Sequence, residues 1–299
     1  MNLLSRNRVP LTAALLLALT SSVWGISWPV MKIVIGEMPV LTFRVVIAWG
    51  SGIIILAIAA LSGSEFRLHR RDIGPAMLAA ALSISGWFYL STLALTMMPA
   101  GRASVLAYTM PLWAFLAAIW LTGERVTVNR VLGLGFGLAT VLVLTVEEFA
   151  RFGRVPLGVI VTLTAAASWG LGTVIQKKIT WHTPLFALAG WQLLLGGIPL
   201  AGFALAFDST PFDSLTIRGF TGIAYVIVFG TVVGYWAWFR AIRMVSSSTA
   251  ALGVLPAPLI GVVSSTLLLG ESLGWQEFTA VGLLTAALAT MMPRPGRRK

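Results

Sequence analysis

Ten stretches of about 20 mostly apolar residues, separated by short polar connectors, leave this chain one solvent for most of its surface. They lie at approximately 10–34, 39–61, 73–96, 101–122, 129–146, 156–176, 184–206, 216–241, 247–269 and 275–292. A helix of that length, rising 1.5 Å per residue, crosses the hydrocarbon core of a bilayer. Only 10% of the 299 residues are charged, whereas a soluble domain carries about a quarter charged residues. So few charges cannot cover a water-facing surface, and the lipid bilayer is the expected surrounding. The expected fold class is therefore all-α integral membrane, with ten transmembrane helices. Arg6 and Arg8 ahead of an apolar run have the look of a secretory leader. That run is long and polar-interrupted, with no clear small-residue cleavage site, which predicts an uncleaved first helix.

The net charge of +11 would point to nucleic acid in a soluble chain. Here the basic residues fall between apolar runs and set orientation instead, so no nucleic-acid partner is expected. With the N-terminus inside, fifteen Lys and Arg lie at inner helix ends, among them Arg6, Arg70, Arg125, Lys177, Arg240 and Arg294. Five lie at outer ends: Lys32, Arg102, Arg151, Arg154 and Arg218. The excess marks the cytoplasmic side, which predicts both termini in the cytoplasm.

The chain also repeats itself. Ala103, Pro111, Leu112, Leu121, Gly123 and Glu124 recur 147 positions later as Ala250, Pro258, Leu259, Leu268, Gly270 and Glu271. Val23-Trp24-Gly25 through Lys32 matches Ser168-Trp169-Gly170 through Lys177 at an offset of 145. Two units follow, 1–148 and 149–299, each of five helices. Five is odd, so the second unit enters the membrane the other way up. Inverted repeats of this kind place a substrate site near the midplane between the halves. The other reading is a duplicated bundle with no pathway.

Candidate functional residues follow from what a membrane interior penalises. All ten acids lie at helix ends or in connectors, which argues against a mid-membrane carboxylate relay and makes facilitated movement the simpler expectation. Glu124 and Glu271 end helices beside basic groups, or gate, since duplication puts one on each side. His69 and His182 fall in connectors away from any pathway. Arg44 is the one formal charge well inside a span. It either snorkels or pairs structurally, or it attracts a substrate carboxylate; Lys32 carries the same alternatives.

Pro111, Pro256 and Pro258 interrupt helices 4 and 9 at corresponding places. Each removes a backbone hydrogen bond and frees a carbonyl, at Ala107, Leu252 and Val254, which predicts a kinked pair acting as hinges or shaping the packing. Trp24, Trp169, Tyr89, Tyr108, Trp236 and Trp238 lie deep in their helices. Together they form a candidate aromatic cavity for an ammonium group, with Ser85, Ser91 and Thr109 as hydroxyl donors to a carboxylate. Packing is the alternative for each of them. Trp49, Trp120, Trp181 and Trp275 fit interface anchors or lipid-facing positions. Gly133, Gly135, Gly137, Gly196, Gly197 and the run Ser246-Ser247-Ser248 allow close helix approach. The absence of cysteine excludes a disulfide scaffold and a thiolate metal site, and neither cofactor nor metal is expected.

The Trp-Gly…Lys of helix 1, Phe43-Arg44 in helix 2, the Gly-Glu-Arg closing helix 4 and Gly133-x-Gly135-x-Gly137 resemble the EamA-type branch of the drug/metabolite transporter superfamily, along the whole chain. Tyr108-Thr109-Met110-Pro111 is similar to the Tyr-Leu-Trp-Pro of YddG-type amino-acid exporters, with Met110 in place of Trp. The resemblance implies a ten-helix inner-membrane exporter of amino acids, aromatic ones included, with Tyr108 and Trp169 in the cavity. A small-molecule substrate and a functional monomer are the corresponding expectations. A drug or quaternary-cation carrier is the alternative within the class, disfavoured by the lack of a membrane-embedded glutamate. A membrane enzyme or sensor needs a catalytic constellation or output domain that the sequence lacks, and a channel fits kinked inverted repeats less well than alternating access.

Overall fold

The computed structural model describes residues 10–123, 126–152, 156–208, 215–245, 249–250, 253–272 and 274–291. Among them every regular element is helical. Ten rods follow one another: α1 (Leu11–Val34), α2 (Val40–Leu61), α3 (Arg70–Leu95), α4 (Ala100–Thr122), α5 (Val128–Phe152), α6 (Leu157–Lys178), α7 (Leu185–Phe207), α8 (Ile217–Ala241), α9 (Pro256–Leu269) and α10 (Trp275–Met291). The first eight have, by length and composition, what a membrane crossing requires; α9 and α10 are shorter. Leu61, Trp120, Leu205 and Leu267 are among the large apolar side chains left exposed on the rods, which is stable in lipid and costly in water.

The packing maps onto itself when every helix number is shifted by five. α1 packs chiefly on α9 and α8, and α6 correspondingly on α4 and α3. α2 packs on α7, and α5 on α10, each pair being its own image. α1, α3, α4, α6, α8 and α9 thus form the inner set, with α2–α7 closing one flank and α5–α10 the other. Short connectors make successive helices antiparallel, so five helices per half invert the second half.

Two glycines show how closely the symmetry is kept. A Cβ added at Gly25 would lie 2.7 Å from the Ala257 carbonyl of α9. One added at Gly170 would lie 2.9 Å from the Met110 carbonyl of α4 and 2.6 Å from the Ala114 nitrogen. Both are backbone atoms just around the repeated prolines, so only glycine lets α1 meet α9, and α6 meet α4, at this distance. The flanking pair α2–α7 is pinned at mid-span by the Trp49 indole, which donates to the Leu194 carbonyl at 3.2 Å. Trp49 is thus a mid-membrane brace and not an interface anchor, because it stands at the tenth position of a 22-residue helix. Trp120 and Trp275, at 80% and 64% exposure, stay on the outside of the bundle.

Backbone irregularities are duplicated as well. α3 widens to a π-helical segment at Ala81–Gly86 and α8 at Val226–Val233, starting 145 positions apart. A π segment leaves carbonyls without their usual partner, and α6 and α1 supply donors. Ser168 of α6 donates to the Leu82 carbonyl at 2.8 Å, and the Trp24 indole of α1 to the Gly230 carbonyl at 3.1 Å. α4 breaks at Tyr108–Thr109 and restarts with Pro111 in its first turn. α9 opens on Pro256, after turn residues 254–255. The prolines therefore begin half-helices and do not kink continuous ones: lacking an N–H, proline is favoured where no donor is needed. The Val254 carbonyl is not free, since it accepts from the Ala257 nitrogen at 3.1 Å.

Candidate functional site

The aromatic residues form separate groups. Trp28 of α1 meets Trp87 of α3 edge-on at 6.3 Å between centroids, and Trp87 meets Trp169 of α6 at 5.5 Å. This chain of three rings crosses the inner set from one half of the repeat to the other. Tyr108, 8% exposed at the break in α4, belongs to the same buried core, with Trp87 packed against that core. Trp24 instead pairs with Trp238 of α8 at 5.9 Å, where its indole is committed to the Gly230 carbonyl. Trp236 does not join either group. Two residues from Trp238 it points to the far side of α8, is 45% exposed, and carries the Arg240 guanidinium 5.9 Å above its ring.

Ser85 and Tyr89 line a third place, a cavity of about 440 Å³ between α2, α3 and α7, walled also by Leu41, Pro199, Leu200 and Phe203. The Ser85 hydroxyl is engaged there, donating to the Gly196 carbonyl at 2.8 Å.

Arg44 lies inside the bundle, 4% exposed. It does not snorkel to the interface. Its Nε donates to the Thr92 hydroxyl, and its Nη2 donates to Ser91 Oγ at 3.3 Å and Met31 Sδ at 3.2 Å. The guanidinium stands 4.6 Å from the Phe88 centroid and 5.4 Å from that of Phe43. No carboxylate pairs with it among the described residues.

The end of the bundle that carries Lys32 is held together by two carboxylates. Glu271, just past α9, accepts from the Ala100 nitrogen at 2.7 Å and the Gly101 nitrogen at 3.0 Å, and from Lys32 Nζ at 3.2 Å. It thereby caps the start of α4, where unpaired N–H groups and the helix dipole favour an anion. Lys32 also donates to the Met98 carbonyl at 2.7 Å, so α1, α4 and α9 converge on one ion pair. Glu277 of α10 accepts from Arg102 Nε at 2.7 Å and from the Gly274 nitrogen at 2.8 Å. A pocket of about 260 Å³ lies among these groups. Glu124, the repeat partner of Glu271, and Ser246–Ser248 lie outside the described residues, as do both chain ends.

At the opposite end Asp72, at the start of α3, holds the connection between α6 and α7. It accepts from the His182 and Thr183 nitrogens at 3.0 and 2.7 Å, from the Thr183 hydroxyl at 2.7 Å, and contacts His182 Nδ1 at 3.0 Å. His69 stacks on His182 at 4.7 Å. Donor atoms of His69, Asp72 and His182 lie within 4.8 Å of one another, the described grouping nearest to a metal-ligand set. Asp72 already takes four contacts, so the arrangement serves as a latch between connectors. Nothing in the spacing of His69 and His182 revealed that they meet.

Sequence reasoning missed Trp28 and Trp87. The signal was present for the first, which stands four residues after Trp24 on one face of α1.

Comparison with known proteins agrees with this geometry. The EamA-like transporter family matches residues 11–146 and again residues 156–292. YvbV, an uncharacterized transporter of Bacillus subtilis (strain 168), is 30% identical over 288 residues, covering 96% of this chain and 93% of its own. YedA, an uncharacterized inner membrane transporter of Escherichia coli (strain K12), is 27% identical over 89% of this chain and 86% of its own. A probable amino-acid metabolite efflux pump of Escherichia coli (strain K12) is 27% identical, covering 89% and 90%. One protein crystal structure superposes with a TM-score of 0.67 at 18% identity, covering 93% of this chain and 94% of that one, which establishes a shared fold. With the family's pattern met once in each five-helix half, this multi-pass membrane protein belongs to the EamA-like transporter family.

Proposed function

We propose that the chain exports amino acids, aromatic ones included, and related small metabolites across a bacterial inner membrane. It does so by rocking two inverted halves about a central cavity, as a monomer with both termini cytoplasmic. The observation that carries alternating access is the tie at the Lys32 end: one carboxylate draws α1, α4 and α9 together, and a carrier must have such an end to release. On the positive-inside count, that end faces outward. The substrate class is supported by the relative described as a probable amino-acid metabolite efflux pump. The Trp28–Trp87–Trp169 chain supports it too, because stacked and tilted indoles attract ammonium groups and aromatic side chains.

Tyr108 and Trp169 are the residues assigned to the cavity wall, with Trp24, Trp238, Tyr89 and Ser85 behind or beside it. Pro111, Pro256 and Pro258 start the half-helices about which α4 and α9 re-aim. The test is purified protein in liposomes, offered a panel of labelled amino acids. Flux of aromatic amino acids is expected, and Tyr108→Ala or Trp169→Ala lowers it about two- to thirtyfold, the range of one lost aromatic contact. Absence of flux for every amino acid overturns the reading.

A further inference from the structure

A buried guanidinium without a counter-charge is expensive to maintain in a membrane. Arg44 is such a group, and its surroundings are shaped for something other than a salt bridge. Two of its nitrogens are used on Thr92, Ser91 and Met31, whereas Nη1 meets no acceptor among the described residues. Phe88 and Phe43 hold the guanidinium plane in place. A cation fixed by hydroxyls and rings, with Nη1 left unused, lacks one ligand: an anion with two oxygens.

The position of this group relative to the tryptophans narrows that anion. Met31 follows Trp28 by three residues on α1, and Ser91 follows Trp87 by four on α3. On both helices the Arg44 cluster therefore lies one turn, about 5 Å, beyond the ring chain. A carboxylate at Arg44 leaves the rest of a small amphipathic molecule against Trp28, Trp87 and Trp169. The repeat position of Arg44 in the second half, at the offset of 145, is Ala189, so the charge is confined to one half.

We infer that Arg44, braced by Ser91 and Thr92, forms the carboxylate-binding half of the substrate site, which restricts transport to substrates bearing a carboxylate. This rests on the amino-acid reading above for the identity of the other half.

The test compares phenylalanine with phenethylamine, which has the same ring and ammonium but no carboxylate, in liposomes carrying the wild type, Arg44→Lys or Arg44→Gln. The wild type is expected to prefer phenylalanine. Arg44→Gln should raise its KM about ten- to a hundredfold, as expected for a lost charge-assisted pair, and abolish the preference. Arg44→Lys should keep part of it. Protection of the purified wild type against thermal unfolding by phenylacetate, and not by phenethylamine, is expected in parallel. This holds independently of which amino acids are carried, and it decides the matter should Arg44→Gln fail to fold. Equal handling of both compounds by wild type and variants, or equal protection, overturns the inference. No amino-acid flux together with protection by phenylacetate overturns only the export reading.

Discussion

Gly170→Ala and Gly25→Ala will each destabilise the purified protein, although alanine is the better helix former. An extra methyl at either position meets backbone, at 2.6 Å from the Ala114 nitrogen or 2.7 Å from the Ala257 carbonyl. Backbone in a packed half-helix cannot swing aside as a side chain can, so α6 must part from α4, or α1 from α9. Overpacking costs about 1–3 kcal/mol, which lowers the melting midpoint by roughly 2–6 °C. Gly135→Ala and Gly282→Ala, where a Cβ meets nothing within 4 Å, supply the contrast. They should be neutral or gain up to about 1 kcal/mol from helix propensity. Melting curves of the four variants in detergent measure this, and similar behaviour across all four would remove the matched crossings from the account.

Glu271→Gln will loosen the Lys32 end. The carboxylate takes two N–H donors of α4 and the Lys32 ammonium. Its neutral amide would keep the shape but lose the charge assistance. With Lys32 30% and Glu271 16% exposed, solvent screening leaves about 1–2 kcal/mol at stake. That shifts the balance between closed and open ends about five- to thirtyfold. The natural chain has no cysteine, so Thr266→Cys, in the pocket beside Glu271, gives a clean reporter. Its maleimide labelling rate in detergent should rise by that factor when Glu271→Gln is added. An unchanged rate would mean that the carboxylate is a surface cap only.

What the sequence made legible is what hydropathy and spacing encode. Run lengths marked ten helices, and residues matched at offsets of 145 and 147 paired them by halves. Hydrogen-bond register is another matter: Ala81–Gly86 and Val226–Val233 read as ordinary apolar helix, because a π segment changes which carbonyl a nitrogen reaches and not which residues are apolar. Prolines 111, 256 and 258 signalled breaks, but the unwinding falls ahead of them, at Tyr108–Thr109 and 254–255. The matched Trp24 and Trp169 looked like a pair of ligands. Their symmetry belongs to the next residues, Gly25 and Gly170, while the indoles take different partners. Trp236 and Trp238 could not be told apart without knowing how α8 is rotated. Arg44 announced itself by its charge, but its partners Ser91 and Thr92 on α3 and Met31 on α1 are brought to it only by packing, which no local pattern reports.

The claim that the Lys32 end opens and closes as part of transport has a direct test. A Cβ at Gly101 would lie 3.7 Å from that of Ser265, close to the separation of about 3.8 Å in a disulfide. The Gly101→Cys/Ser265→Cys protein, oxidised and placed in liposomes, should carry no substrate and should recover flux on reduction. Undiminished flux through the fully cross-linked protein would contradict alternating access at this end.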